Sequence, residues 1–130
     1  MIVGTGIDIA EVDRIAQSIN RFGVRFTERV FTAEEIRYCE SKANKVERYA
    51  ARFAAKEAGM KAIGTGWSRG VRWRDIEVQR LPGGRPTLAF HGRASEFFTR
   101  LGATQAHLSL THTREIAMAF VILENNANKQ

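Results

Sequence analysis

The stretch from Lys45 to Gly66 constrains the fold more than any other part of this chain. Six alanines between Ala50 and Ala62 favour a helix, and Gly64-Thr65-Gly66 ends it. At about 100° per residue, one side of this helix carries bulky apolar residues and another carries alanine and glycine. A helix that is apolar on two sides is usually buried in a core. We therefore predict a long central helix around which the other elements pack.

One narrow sector of the predicted helix is charged. Glu57 and Lys61 point into it one turn apart, beside the small Ala50 and Ala54. A carboxylate and an ammonium in a confined gap need partners. They can form a simple ion pair across one turn, which stabilises a helix by a few tenths of a kcal/mol, or they can belong to a functional site. The helix by itself leaves both interpretations open.

The remaining sequence predicts the order strand, three helices, hairpin, helix, hairpin. The predicted strands cover 1–10, 75–81, 87–90, 107–112 and 116–123, and the predicted helices cover 12–22, a segment that starts with a capping box at 32–35, the central helix and 92–101. This order indicates the α+β class, with an antiparallel sheet packed around a long central helix. We expect residues 1–124 to form a single domain and residues 125–130 to form a frayed polar tail.

Two segments carry more specific expectations. Ile116 to Leu123 is apolar on both faces, so the strand is expected in the interior. Trp67 to Arg74 mixes two tryptophans with three arginines. Arginine beside aromatic rings can stack on nucleic-acid bases, but a covering loop with buried tryptophans is the preferred interpretation.

Composition limits the class of partner. The net charge of +6 predicts an anionic partner or substrate, which includes nucleic acid, phosphorylated metabolites, acidic proteins and membrane surfaces. Cys39 is the only cysteine, which excludes a disulfide framework and a cysteine-rich metal site. The N-terminus lacks a signal-peptide pattern, and the longest apolar run is too short to span a bilayer. We expect a cytoplasmic protein.

The first predicted strand has an unusual face. Gly4, Gly6 and Asp8 lie on it in succession, so Asp8 carries the only side chain beyond hydrogen among these three positions. Glycine inside a strand often marks the close approach of a ligand or of another backbone. Asp8 alone can equally be an aspartate at a strand end that caps the following helix.

Asp8 and Glu57 together indicate a chemistry. Two carboxylates brought close repel each other unless a proton or a cation lies between them. Oxygen ligands select a hard cation, and Mg²⁺ commonly takes one or two carboxylates plus substrate phosphate and water. Lys61 would then offer a positive charge to the same phosphate. The residues thus predict a Mg²⁺-dependent site for a phosphate or pyrophosphate compound.

A row of arginines marks a possible contact surface. Arg14 and Arg21 share the outward face of the predicted helix 12–22, and Arg25 lies just beyond it. Such a face is often only solvated. It can also be a docking surface for an acidic partner helix.

Two motifs together resemble the holo-[acyl-carrier-protein] synthase family of 4′-phosphopantetheinyl transferases. One is Gly4-Thr5-Gly6-Ile7-Asp8-Ile9 with Glu11 and Arg14, and the other runs from Arg52-Phe53-Ala54-Ala55-Lys56-Glu57-Ala58 through Lys61-Ala62 to Gly64-Thr65-Gly66. Segments 75–78, 84–86 and 109–113 are also similar to the family's later segments. The resemblance covers nearly the whole chain, and the second motif is highly specific.

The resemblance implies transfer of 4′-phosphopantetheine from coenzyme A to a serine of apo acyl carrier protein, in support of fatty acid biosynthesis. It implies Mg²⁺ bound by Asp8 and Glu57, catalytic roles for Glu57 and Lys61, and a homotrimer with sites between subunits. The coenzyme A pocket would include Arg52, Lys61, Gly64, Pro86, His107 and Thr111. Arg14, Arg21 and, after a small shift, Arg25 would meet the acidic carrier protein. Neither nucleic acid nor a membrane is expected as a partner, and either Glu57 or a metal-bound water would accept the serine proton.

Two alternatives remain at this point. A non-enzymatic basic module that binds nucleic acid would explain the net charge and the segment from Trp67 to Arg74. It would not explain Asp8 and Glu57, which repel phosphate in the absence of a metal. An inert scaffold or interaction protein would predict that both carboxylates can be replaced without harm.

Overall fold

The computed structural model describes residues 1–127 as an α+β arrangement. The elements in chain order are β1 (Ile2–Glu11), α1 (Val12–Phe22), α2 (Val24–Val30), α3 (Ala33–Glu40), α4 (Lys45–Ala62), a 3₁₀ turn (Trp73–Asp75), β2 (Ile76–Arg80), β3 (Pro86–Phe90), α5 (Gly92–Arg100), β4 (Gln105–His112) and β5 (Ile116–Glu124). Among these residues no helix combines the length and apolarity needed to cross a membrane. The end of the expected polar tail, residues 128–130, lies outside the described residues.

An antiparallel sheet packs against α4, as the sequence predicts. β5 lies between β1 and β4, while β2 and β3 form a separate hairpin. The inner face of β5 is fully buried; its residues are Ala117, Ala119, Val121 and Leu123. Helix α4 is also largely buried and contacts both the sheet and β2, which confirms its central position.

The glycines of β1 allow the backbone of α4 to approach. A Cβ at Gly4 would collide with the carbonyl oxygen of Ala62, and a Cβ at Gly6 would collide with that of Ala58. The two strand residues from Gly4 to Gly6 therefore run beside the four helix residues from Ala62 back to Ala58. The lengths agree, because two residues of a strand span about 6.7 Å and four residues of a helix span about 6 Å. The same progression carries Asp8 toward the turn of α4 that precedes Ala58. This register places Asp8 within reach of the charged sector of α4.

The chain has a fourth helix before the first hairpin that the sequence analysis did not predict. Helix α2 has only seven residues and no side-chain cap at its start, so its sequence signal is weak. Gly23, with φ of 58°, separates it from α1, and its N–H bonds to the carbonyl of Ile19. A glycine at such an angle ends one helix and reorients the chain for the next.

Two of the sequence-based expectations of burial are wrong within the single chain. β5 buries only one face, because Ile116, Met118 and Phe120 on the other face remain about 40% exposed. Trp67 is 72% exposed, while Trp73 is half-buried against Phe53. In each instance the residues are apolar as expected, but no element within residues 1–127 covers their exposed side.

Candidate active site

Asp8 and Glu57 meet where β1 crosses α4. Their carboxyl groups lie within hydrogen-bonding reach of each other, which requires a proton or a cation between them. Burial raises the pKa of Glu57 to about 7, with further contributions from the hydrogen bond to Asp8 and from its charge, against the opposing effect of Lys61. The structure therefore brings together the two carboxylates that the sequence analysis paired.

Lys61 completes this cluster from the next turn of α4. Its Nζ donates to the carbonyl oxygen of Ile7 over 3.0 Å and lies 3.4 Å from Oδ1 of Asp8. Its ion pair is therefore with Asp8 and not the simple pair with Glu57 one turn away. The lysine side chain is 56% exposed, so the ammonium can also meet a ligand from solvent.

The alternative role of Asp8 as a helix cap is wrong. Its Oδ1 accepts a hydrogen bond of 2.9 Å from the N–H of Ile9, within the strand. Helix α1 begins after Glu11 and has no side-chain cap. Asp8 is thus held by β1 with its carboxyl directed at α4.

This donor set fits a hard divalent cation. Two carboxylates that share a proton would bind such an ion in its place, because the ion removes their mutual repulsion. Within residues 1–127 no third His, Cys, Asp or Glu joins them to form a larger metal-binding group. The remaining ligands of a bound ion would have to come from water or a substrate.

The arginines of α1 and α2 form an exposed surface, named here the arginine face and consisting of Arg14, Arg21 and Arg25. Arg14 makes only a distant contact with Glu11, 3.7 Å between Nε and Oε1, at a highly exposed position. The guanidinium of Arg21 lies over the ring of Phe22, itself 45% exposed. The guanidinium groups of this face are therefore exposed and can form ion pairs with the carboxylates of an acidic partner.

The other predicted pocket residues lie in separate places within one chain. Pro86 and His107 line the same cleft of about 850 Å³ between β3, α5 and β4. Gly64 follows the end of α4 near Lys61, and Thr111 is exposed on the outer side of β4, opposite Met118 of β5. The chain alone does not gather them into one pocket.

Arg52 occupies an unusual position. It is only 4% exposed, and its guanidinium lies 4.0 Å from the centre of the Tyr38 ring. Its Nε has no hydrogen-bond partner among residues 1–127. A buried guanidinium with an unsatisfied N–H is costly, so this arginine fits a position that an anionic ligand would complete.

The family model of the 4′-phosphopantetheinyl transferase superfamily matches residues 4–121 of this chain. The chain belongs to this superfamily. The match includes Asp8, Glu57 and Lys61 as well as the arginine face.

Relatives named holo-[acyl-carrier-protein] synthase match this transferase over nearly its full length. The one from Koribacter versatilis is 66% identical over 96% of this chain and 100% of its own length, and the one from Solibacter usitatus is 62% identical with the same coverage. Among solved structures, the holo-[acyl-carrier-protein] synthase from Neisseria meningitidis has a TM-score of 0.85 at 35% identity, covering 96% of this chain and 100% of that one. The synthase from Bacillus anthracis, solved in complex with CoA (3′,5′-ADP), has a TM-score of 0.78 at 38% identity and covers 96% and 98%.

A buried ion pair on α4 was not among the residues predicted from the sequence of this superfamily member. Lys56 and Glu35 are both fully buried, with 2.7 Å between Nζ and Oε1. Lys56 also donates to the carbonyl of Ile76, and Glu35 accepts from the N–H groups of Thr32 and Val78. A sequence signal existed, because Lys56 interrupts the alanine-rich side of α4 and a charge at such a position must find a partner.

Proposed function

We propose that this transferase moves 4′-phosphopantetheine from coenzyme A to a serine of an apo acyl carrier protein and thereby supports fatty acid biosynthesis. The contact between Asp8 and Glu57 beside Lys61, in a member of this superfamily, carries the proposal. The relatives named holo-[acyl-carrier-protein] synthase support it further. The catalytic domain comprises residues 1–124, and a cytoplasmic location remains a prediction.

Asp8 and Glu57 would hold Mg²⁺ in this proposal. The ion, when bound, would neutralise the negative charge that develops on the pyrophosphate oxygens of coenzyme A. Lys61, exposed and next to Asp8, would add its ammonium charge to the same phosphates. Both elements that carry these residues are fixed by the glycine-mediated packing of β1 on α4, so the charges are positioned before the substrate binds.

The proposed reaction is a phosphoryl transfer. The serine oxygen of the carrier protein forms a bond to the phosphorus that bears pantetheine, while the bond from that phosphorus to the bridging pyrophosphate oxygen breaks. Adenosine 3′,5′-bisphosphate leaves with that oxygen. The serine proton passes to Glu57 or to a water molecule beside it. No nucleophile is required from this chain.

A homotrimer with coenzyme A bound between subunits would unite the scattered pocket residues. Within one chain Pro86 and His107 line one cleft, whereas Arg52 and Thr111 lie outside it, so a second copy would have to supply part of a pocket that includes all four. The outer face of the sheet supports self-association. It exposes a continuous apolar surface, the outer sheet face, formed by Ile7, Ile9, Ile116, Met118 and Phe120.

The decisive experiment measures the intact mass of an apo acyl carrier protein after incubation with this protein and coenzyme A, with Mg²⁺ or with excess EDTA. We expect a gain of one phosphopantetheine on the carrier serine, only with the metal. Asp8→Asn and Glu57→Gln should each lower the rate by on the order of a hundredfold or more, because each removes a ligand of the ion that stabilises the leaving group.

Glu96→Gln is the matched control, because Glu96 is an exposed carboxylate on α5 that forms an ion pair with Arg93. It should leave the rate unchanged. Transfer that is insensitive to EDTA, or normal transfer by Glu57→Gln, would contradict the proposal.

A further inference from the structure

A groove lined by two tryptophans and several arginines is not explained by the proposed function. It has a volume of about 520 Å³, and Arg29, Trp67, Trp73 and Arg74 are among its lining residues; we name it the tryptophan groove. Trp73 stacks on Phe53 of α4 with 4.9 Å between ring centres. Phe53 lies about 140° around α4 from Ala58, which contacts β1, so the groove is on the side of α4 away from the sheet.

The groove combines an exposed indole with uncompensated positive charge. Trp67 is 72% exposed, which is unusual for so large an apolar side chain. Arg29 and Arg74 are exposed and form no ion pair among residues 1–127, whereas Arg72 pairs with Asp75 over 3.1 Å. Such a surface suits an acidic protein that offers one apolar side chain together with carboxylates.

The groove is continuous with the arginine face. Arg25 and Arg29 lie one turn apart on the same side of α2. Phe26, next to Arg25, packs on Phe53 with 6.5 Å between ring centres, and Phe53 in turn contacts Trp73 in the groove. A path of arginine and aromatic side chains therefore leads from α1 over α2 into the groove.

The same path borders the candidate active site. Phe53 precedes Glu57 by one turn on α4, so the two side chains are neighbours along the helix. A protein that covers both the arginine face and the groove would span the surface beside Glu57. Docking at two places would fix the orientation of a substrate serine better than docking on α1 alone.

We propose that the tryptophan groove is the second half of the docking surface for the acidic carrier protein, an inference that rests on the proposed function. An apolar side chain of the carrier enters beside Trp67 and Trp73. Carboxylates of the carrier pair with Arg29 and Arg74. The groove remains accessible in an oligomer formed through the outer sheet face, because that face lies on the other side of the molecule.

A nucleic-acid ligand fits the groove less well. Asp75 lies within it and is only 2% exposed, and its carboxylate neutralises Arg72. A phosphate backbone that continued past Phe53 would also meet Glu57 and Asp8. A short groove with a carboxylate at its wall favours a single apolar anchor over a run of stacked bases.

The test measures the dissociation constant of apo acyl carrier protein by calorimetry, and the KM values for carrier protein and coenzyme A, for Trp67→Ala, Arg29→Glu and Arg74→Glu. We expect each variant to weaken carrier binding and to raise the KM for carrier protein by roughly tenfold, without changing the KM for coenzyme A. Arg100→Glu is the control, because it makes the same charge change at the exposed end of α5, where the Arg100 guanidinium lies over the ring of Phe97.

Tryptophan fluorescence gives an independent measurement. The chain has two tryptophans, so Trp73→Phe leaves Trp67 as the only reporter. Its emission should shift to shorter wavelength when carrier protein binds, because the exposed indole becomes buried. An unchanged emission at saturating carrier protein would overturn the inference.

The outcomes separate this inference from the proposed function. If the wild-type protein modifies the carrier and the three variants bind it normally, the groove is not a docking site and the function stands. If the wild-type protein neither binds nor modifies the carrier, both proposals fall. Equal rises in the KM values for carrier protein and coenzyme A would also overturn the inference. So would variants that bind carrier protein normally but no longer bind a single-stranded oligouridine, because the groove would then be a nucleic-acid site.

Discussion

At the scale of single residues, Glu57 combines two tasks that need opposite protonation states. Below its raised pKa of about 7, which is caused chiefly by burial, it carries a proton. To bind a metal ion it must lose that proton. The affinity for the ion is therefore linked to pH in the range where Glu57 titrates.

We predict that Mg²⁺ raises the melting temperature more at pH 8 than at pH 6. In the unfolded chain Glu57 has its ordinary pKa near 4.5, whereas in the folded chain its pKa is about 7. Protonation of Glu57 therefore contributes to the free energy of unfolding in favour of the folded state. That contribution is fully present below about pH 4.5 and is lost as pH rises through about 7. At pH 6 the ion has to displace the proton, whereas at pH 8 the pair is already ionised and repulsive.

Thermal unfolding with and without Mg²⁺ at both pH values tests this. Glu57→Gln should abolish the pH dependence of the Mg²⁺ effect, and Glu96→Gln should keep it. An equal shift at both pH values in the wild-type protein would show that Glu57 does not exchange its proton for the ion.

At the scale of elements, α4 is fixed on two sides by different means. Toward the sheet, alanines and the glycines of β1 allow close backbone packing. Toward α3 and β2, Lys56 forms the buried pair with Glu35, and burial lowers the pKa of Lys56 although the carboxylate opposes this effect. The ammonium is also within 2.6 Å of the carbonyl oxygen of Ile76, so its hydrogen bonds compensate for its burial.

We predict that Lys56→Met lowers the free energy of unfolding by about 3–5 kcal/mol, because it leaves the Glu35 carboxylate buried without its counter-charge. The double variant Lys56→Met/Glu35→Gln should recover a large part of this loss, since a neutral amide is less costly to bury than a carboxylate. Urea denaturation measures both. A loss below about 1 kcal/mol in the single variant, or no recovery in the double variant, would contradict this account.

At the scale of the whole molecule, the sheet is covered by α4 on one face only. The outer sheet face exposes Ile7 to 54% and Ile9 to 52%, and β5 adds three further apolar side chains. Single exposed apolar residues are normal on a monomer, whereas a contiguous apolar patch such as this one marks a contact with another molecule. It is the natural contact between copies in the proposed homotrimer.

We predict that wild-type protein sediments as a trimer, whereas Met118→Glu yields monomers, because a charge in the centre of an apolar contact is not compensated. The monomer should lose phosphopantetheine transfer while its circular dichroism remains unchanged. Leu101→Glu is the control, since Leu101 is similarly exposed, at 38%, but lies at the end of α5. A wild-type monomer with full activity would contradict the prediction.

Much of the fold was predictable because its signals are local. The capping box at Thr32 and Glu35, the apolar periodicity of α1 and the alternation of β4 each indicate an element from neighbouring residues alone. Helix α2 was not predictable in this way, since seven residues without a cap carry little periodic information. Its Phe26 packs against Phe31 and Phe53, contacts that only the folded chain provides.

The central helix, the glycine-bearing face of β1 and the residue types of the candidate site follow from the amino-acid sequence, because composition and spacing act over a few residues. Which charges meet depends instead on how the elements pack in three dimensions. The register of Gly4 and Gly6 against α4 brings Asp8 to Glu57, and the packing of α3 and β2 supplies the partners of Lys56. The exposure of Trp67 and of the outer sheet face was likewise decided there, since burial depends on which elements remain to cover a surface.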